Sequence, residues 1–314
     1  MVNRLRSSPL LRVGLALVAL GFLAYGLSRN WNDTVAAMAR LSWWTVAGSF
    51  AAVLVGLGFM LVAWQVVLAG FGSPLPMRVA AKVLFVGQLG KYVPGSVWAF
   101  AAMMELARDH GSPPRRTFGA TVIGLVVSLG CALGLAAVTL PLTSQDVARQ
   151  TWYLLLLIPF IVAGLHPRVL TFALNLVLRV ARREPLEQVL PGRAMLVAAA
   201  WTMGGWLFYG LHIWLLLRDM APGGPSLLAV AAGAYALAWV TGLLTVIIPA
   251  GIGVREGAMV LVLAPVLDAP HALVIAVVSR LAFTFADVAW AGIGFVAARG
   301  QAPADSKAAV YAAQ

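Results

Sequence analysis

A chain of 314 residues that is 61% hydrophobic and only 11% charged, with a mean hydropathy of +0.91, departs far from a soluble domain, in which about 25% of residues are charged. It reads as an all-α integral membrane protein, and no stretch between its apolar runs is long enough to build a separate soluble domain. The net charge of +11 does not argue for nucleic acid, because basic residues scattered between apolar spans are more simply the cytoplasmic flanks of those spans.

The first apolar run, 10–27, follows Arg4, Arg6 and Arg12 and lacks a small-x-small cleavage site. It is predicted to be an uncleaved signal anchor with a cytoplasmic N-terminus, followed by an outer loop to about residue 40. The run 43–70 then returns, with Trp43 and Trp44 as interfacial anchors. Segments 77–90 and 94–107 are each about 21 Å long as helices, too short for a hydrocarbon core of about 30 Å. Joined as one kinked span they would put Arg115, Arg116, Arg168, Arg179, Arg182, Arg183 and Arg193 outside, against the positive-inside rule. Folded as a hairpin over 77–108 that dips in from the cytoplasm, they keep all of these inside.

The run 117–140 leaves again and carries the single cysteine, Cys131, which has no partner for a disulfide or metal and reads as a small packing residue. A short return at 151–167 precedes "RVLTFALNLVLRVARR", which suits either a helix on the inner leaflet or the second arm of a membrane hairpin. The run 194–217 goes out, the segment 226–267 must enter and exit from the outside, and 271–297 returns to a polar cytoplasmic tail, 299–314. The prediction is a polytopic helix bundle with two inverted repeats, 41–145 and 194–298, joined through a basic linker, 146–193. Each repeat contains a broken re-entrant helical hairpin, at "GKYVPGS" and "IPAGIGVRE". Breaker-interrupted segments at matching places in two halves are the sequence mark of a transporter with its site at the repeat interface.

Arg255 and Glu256 follow the breakers Pro249, Gly251 and Gly253. Facing lipid they would cost roughly 2.5–3.5 kcal/mol each, so they are expected to face protein or water. Neighbours on a helix do not face each other, and Arg280 is the candidate partner for Glu256. Arg280, Thr284 and Asp287 recur at helical spacing as one polar stripe on the last span. In the first hairpin Lys91 sits beside Pro94 and Gly95, with Glu105 farther along the second arm. Second-arm helices starting near Gly95 and Gly253 would aim free N–H groups into the membrane, where they attract anions. Lys91, Arg255 and Arg280 are thus the candidate head-group ligands, and Glu105, Glu256 and Asp287 the counter-charges or proton carriers. His110, His166 and His271 fall near span ends, His212 reads as a hydrogen-bonded helix residue, and no pair has metal-ligand spacing, so neither metal nor cofactor is expected.

The stretches "GQLGKYVPGSVW", "IPAGIGVREGAMV" and "SRLAFTFADVAWAGIG" resemble the transmembrane domain of lysylphosphatidylglycerol synthases and related stand-alone membrane proteins. The resemblance covers about 40–297 and implies movement of a lipid between leaflets, aminoacylated phosphatidylglycerol in some members. It carries roles onto Lys91, Pro94 and Gly95, onto Pro249, Gly251, Gly253, Arg255 and Glu256, and onto Arg280. The synthases add a cytoplasmic aminoacyl-transfer domain, whereas only a short tail follows residue 297 here, so aminoacyl transfer is not expected of this chain.

The expected function is a flippase for a lipid with an anionic, phosphate-bearing head group, aminoacylated or glycosylated forms included, in the bacterial plasma membrane, with both termini cytoplasmic. The expected partner is that lipid, with a separate lipid-modifying enzyme and a homo-oligomer left open. The alternatives are a membrane-embedded transferase acting on a lipid-linked substrate and a non-transporting partner subunit.

Overall fold

The computed structural model describes residues 31–92, 97–142, 149, 152–180, 185, 189–245, 251 and 253–299. The signal-anchor run 10–27, the breakers Pro94, Gly95 and Pro249, and the tail 300–314 lie outside the described residues. Those described are helical, without a strand.

Five helices are long and apolar enough to cross a membrane: α2 (Trp43–Gly70), α5 (Pro114–Thr139), α8 (Gly192–Leu217), α9 (Pro225–Leu244) and α11 (Ala269–Ala297). The others are shorter: α1 (Trp31–Arg40), α3 (Met77–Ala81), α4 (Val97–Arg108), α6 (Leu157–Gly164), α7 (Pro167–Val180) and α10 (Val254–Leu263). Residues 31–40, expected as loop, form α1 because Thr34 and Ala37, one turn apart, bury against the bundle. A ten-residue amphipathic helix is invisible to a search for long apolar runs.

End-to-end contacts fix the helix directions. At one end of α2 the carboxylate of Asp219, just past α8, accepts from Ser42 N–H at 2.9 Å and Thr45 Oγ1 at 2.5 Å, placing negative charge at the positive end of a helix dipole. At its other end Gly70 lies against Leu190 and Ala194, and Arg116 donates to the carbonyl of Gly72 at 2.9 Å. Helices α5 and α8 are therefore antiparallel to α2. Helix α11 runs parallel to it: buried His212 on α8 bridges Ser49 at 2.6 Å and Ser279 at 2.9 Å, and Trp290 Nε1 donates to the carbonyl of Leu54 at 3.0 Å. His212 is thus a hydrogen-bonded helix residue, as its sequence context suggests.

Two pairs of arms fold back on themselves. Helix α3 runs on through a π-helical segment, Lys82–Val86, to a 3₁₀ turn, Leu89–Tyr92. A Cβ on Gly87 would lie 2.3 Å from Met103 Cγ, and one on Gly90 only 2.7 Å from the backbone of Ala99. Residues earlier in the first arm thus meet later ones in α4, which makes the arms antiparallel, and only glycine permits that approach at residue 90. In the second pair, Gly251 (φ 64°) would put a Cβ 2.7 Å from Gly242 Cα, and Gly253 (φ 84°) caps α10. Both have positive φ, where a side chain is strained, so the breakers turn α9 sharply into α10. At about 15 Å, α10 cannot cross by itself.

Among the described residues between α5 and α8 no single straight helix is long enough to cross a membrane. A 3₁₀ turn, Trp152–Leu156, leads into α6, and this unit is bent by 71° against α7. Helix α7 buries Leu170, Leu174 and Leu178 at four-residue spacing and exposes Phe172, Leu176 and Val180.

Candidate functional site

Helix α11 supplies a polar row inside the bundle. Arg280 and Asp287 are two turns apart and so share a face, and Thr284 between them returns its hydroxyl to the Arg280 carbonyl at 2.9 Å. Each charged member is paired with a different hairpin. Asp287 Oδ2 receives Lys91 Nζ at 2.6 Å and the Tyr92 hydroxyl at 2.6 Å, both from the end of the first arm. Arg280 Nη1 reaches Glu256 Oε1 at 3.2 Å, at the start of α10. Arg280 is the partner expected for Glu256 from sequence, and the other oxygen of Glu256 accepts the Gly253 N–H at 2.6 Å. That bond satisfies a donor the start of α10 would leave unpaired. The two pairs have opposite polarity: α11 gives the anion to the first hairpin and the cation to the second. The carboxylates are the buried members, at 3% and 5% side-chain exposure.

Arg255 is held differently. It donates to the hydroxyl of Tyr235 on α9, and its guanidinium carbon lies 4.7 Å from the centre of the Tyr235 ring and 5.3 Å from that of Phe283. Those two rings stack on each other at 5.2 Å. Cation–π attraction contributes about 0.5–2 kcal/mol per contact but leaves the positive charge unmatched, and no carboxylate pairs with Arg255 among the described residues.

These groups line one cavity of about 540 Å³, within the range of about 300–1,000 Å³ usual for small-ligand sites. Lys91, Tyr92, Arg255, Arg280, Thr284 and Asp287 line it, and the rest is mostly apolar and aromatic, with Met60, Trp64, Leu125, Trp206 and Trp239 among them, interspersed with uncharged polar side chains such as Gln88, Thr121 and Thr202. Asp287 Oδ1 and Trp206 Nε1 are buried without a hydrogen-bond partner in the protein, each a cost of about 1–3 kcal/mol. The wall is therefore not arranged for stability alone. Among the described residues no group of three His, Cys, Asp or Glu could hold a metal.

Of the residues singled out from sequence, Lys91, Arg255, Arg280, Asp287 and Gly251 line this cavity, and Glu256 and Gly253 support it from α10. Glu105 does not. It lies on α4, 59% exposed and paired with Arg108, because α4 turns Ala99, Phe100 and Met103 to the cavity and residue 105, two positions beyond Met103, points to the far side. Tyr92, Tyr235 and Phe283 were missed. Tyr235, Trp239 and Gly242 follow helical spacing on α9 and all reach the cavity, a row that sequence alone presents as an ordinary apolar face.

No curated protein matches the chain. Residues 10–291 match the lysylphosphatidylglycerol synthase TM region, a stretch that includes both folded-back arm pairs and every charged residue of the cavity wall, and the chain belongs to that family.

Proposed function

We propose that the protein is a translocase that moves a lipid with an anionic, phosphate-bearing head group between the leaflets of the bacterial plasma membrane, with no bond chemistry of its own. The observation that carries this reading is Arg255, a cation in the middle of an apolar bundle whose neighbours are the Tyr235 phenol and the Phe283 ring. A charge in such a place is costly unless it serves a pathway or a ligand, and phosphate is the anion that a membrane supplies in quantity. The head group would pass along the polar wall while the acyl chains stay in the bilayer.

The path is read as lying between two re-entrant hairpins of an inverted repeat. Supporting this, the first hairpin begins just after Gly72 and ends just before Arg116, and those two residues are hydrogen-bonded. The second runs from α9, which starts near Asp219 and the beginning of α2, back to the start of α11 on that same side. Arg78, Arg108, Arg115, Arg116, Arg193 and Arg299 gather where α2 ends, against Arg40 and Arg218 where it begins. By the positive-inside rule the first set is cytoplasmic, so the first hairpin dips from the cytoplasm and the second from outside, with both termini inside. A separate lipid-modifying enzyme would supply any aminoacyl or sugar group.

The test is reconstitution into liposomes containing tail-labelled fluorescent phosphatidylglycerol, with a membrane-impermeant reductant reporting outer-leaflet probe over time. The wild type is expected to speed loss of the protected fraction, and Arg255→Ala to slow this at least about tenfold, consistent with losing a charged hydrogen bond of about 1.5–3 kcal/mol. No acceleration by the wild type, or equal acceleration by the variant, would overturn the proposal. Conversion of the lipid to a new product by the purified protein would move the chain to the transferases.

A further inference from the structure

The charges of the cavity wall can be counted. Lys91, Arg255 and Arg280 are cations, Asp287 and Glu256 are carboxylates, and each carboxylate is engaged by one of the cations at 2.6 or 3.2 Å. Among the described residues the formal balance is one positive charge, and it sits on Arg255. The segments 93–96, Val-Pro-Gly-Ser, and 246–250, Val-Ile-Ile-Pro-Ala, with Ile252, bring no charged side chain of their own.

We infer that the cavity selects a phosphodiester head group carrying one net negative charge. This deepens the proposed function and rests on it for the role of the site, but the selectivity itself is a matter of binding. Between mostly apolar and aromatic walls a charge is screened less than in bulk water, so an uncompensated unit charge carries a cost. A monoanion brings the filled cavity to neutrality. A phosphomonoester, doubly charged above its second pKa of about 6, would overshoot and leave one negative charge buried. A zwitterionic head group pairs its phosphate with Arg255 but brings its own ammonium into a wall whose carboxylates are already taken, and the positive excess remains.

The geometry at Arg255 agrees with this preference. The Tyr235 hydroxyl and the stacked Tyr235 and Phe283 rings hold the guanidinium in place, and a guanidinium has further N–H donors with which to take two oxygens of one phosphate. Arg255 on its aromatic clamp is thus the specificity-determining residue, while the Lys91–Asp287 and Arg280–Glu256 pairs close off the other two cations.

The experiment is lipid competition on the intact purified protein at pH 8.5. Detergent micelles would contain equal amounts of phosphatidylglycerol, phosphatidic acid and phosphatidylethanolamine of matched chain length, with bound lipid counted by mass spectrometry of the complex. The wild type is expected to retain phosphatidylglycerol at least about tenfold over either competitor, as expected for about 1.4 kcal/mol of discrimination. Arg255→Gln, which leaves both ion pairs intact, should move the preference to phosphatidylethanolamine. Glu256→Gln, which raises the balance by one, should move it to phosphatidic acid; if that variant fails to fold, Arg255→Gln decides.

Equal retention of the three lipids by the wild type, or an unchanged ranking in Arg255→Gln, would overturn the inference. Millimolar glycerophosphoglycerol in parallel samples separates the two sources of this chemistry: displacement of the lipid assigns the site to the free phosphodiester, and failure to displace it assigns the site to the lipid. Because binding is read without transport, selective retention by a protein that moves no lipid would remove the proposed function and leave the selectivity standing.

Discussion

Asp287 shows what one residue does in this wall. Its carboxylate is 3% exposed, accepts from Lys91 and Tyr92 through one oxygen and leaves the other unpaired. Replacing it with lysine would set two ammonium groups against each other, and breaking a buried pair typically costs about 3–5 kcal/mol. The half-exposed Lys91 places the loss toward the lower figure, since its ammonium can turn to water. Asp287→Lys is therefore expected to lower the midpoint of thermal unfolding in detergent by several degrees, and the reversed pair, Asp287→Lys with Lys91→Asp, to recover most of that fall. If the double variant is as unstable as the single one, the pair is not what joins the first hairpin to α11. Sequence brought both residues into view as intramembrane charges, but not as partners. Tyr92 and Asp287 are 195 positions apart, and no local spacing reports such a contact.

The elements divide by whether their cause is local. The long spans were readable because membrane crossing demands length and uniform hydropathy, and both can be counted along the chain. The folded-back arms were readable because Gly and Pro mark breaks wherever they occur. Helix α1 was not, since its stability comes from packing Thr34 and Ala37 on the bundle, whereas the 71° bend between α6 and α7 fits both readings of that stretch. The π-helical stretch Lys82–Val86 was equally hidden. It lies where Gly294 of α11 presses on the backbone of the first arm, so closely that a Cβ on Gly294 would be 2.8 Å from Lys82 N. One turn away Phe85 stacks on Trp290 at 4.9 Å. Backbone cannot yield as a flexible side chain can, so Gly294→Val should push the first arm outward at a cost of about 1–3 kcal/mol. Loss of thermal stability in detergent is the expected result, and a Gly294→Val protein that unfolds at the wild-type temperature would show that the arm is not held by this contact.

For the molecule as a whole, the decisive property is which faces of the membrane the two hairpins meet. The placement of the cavity follows from it: if the arms enter from opposite sides, their inner ends and the Arg280–Asp287 row share the middle of the bilayer, and a head group can be handed from one aqueous side to the other without crossing lipid. Cys131 is the single cysteine and is buried, so a Cys131→Ala background permits clean labelling. Arg78→Cys and Asp109→Cys mark the outer ends of the first hairpin, and Ser226→Cys and Pro265→Cys those of the second, all at exposed positions. A membrane-impermeant maleimide added to intact spheroplasts should label 226 and 265 at once, and 78 and 109 only after permeabilisation. Labelling of 78 and 109 from opposite sides would turn the first hairpin into a crossing and move Lys91 out of the shared layer. Labelling of all four from one side would put both tips on the same face, where the ion pairs of α11 could still hold them together but could not form a path between leaflets.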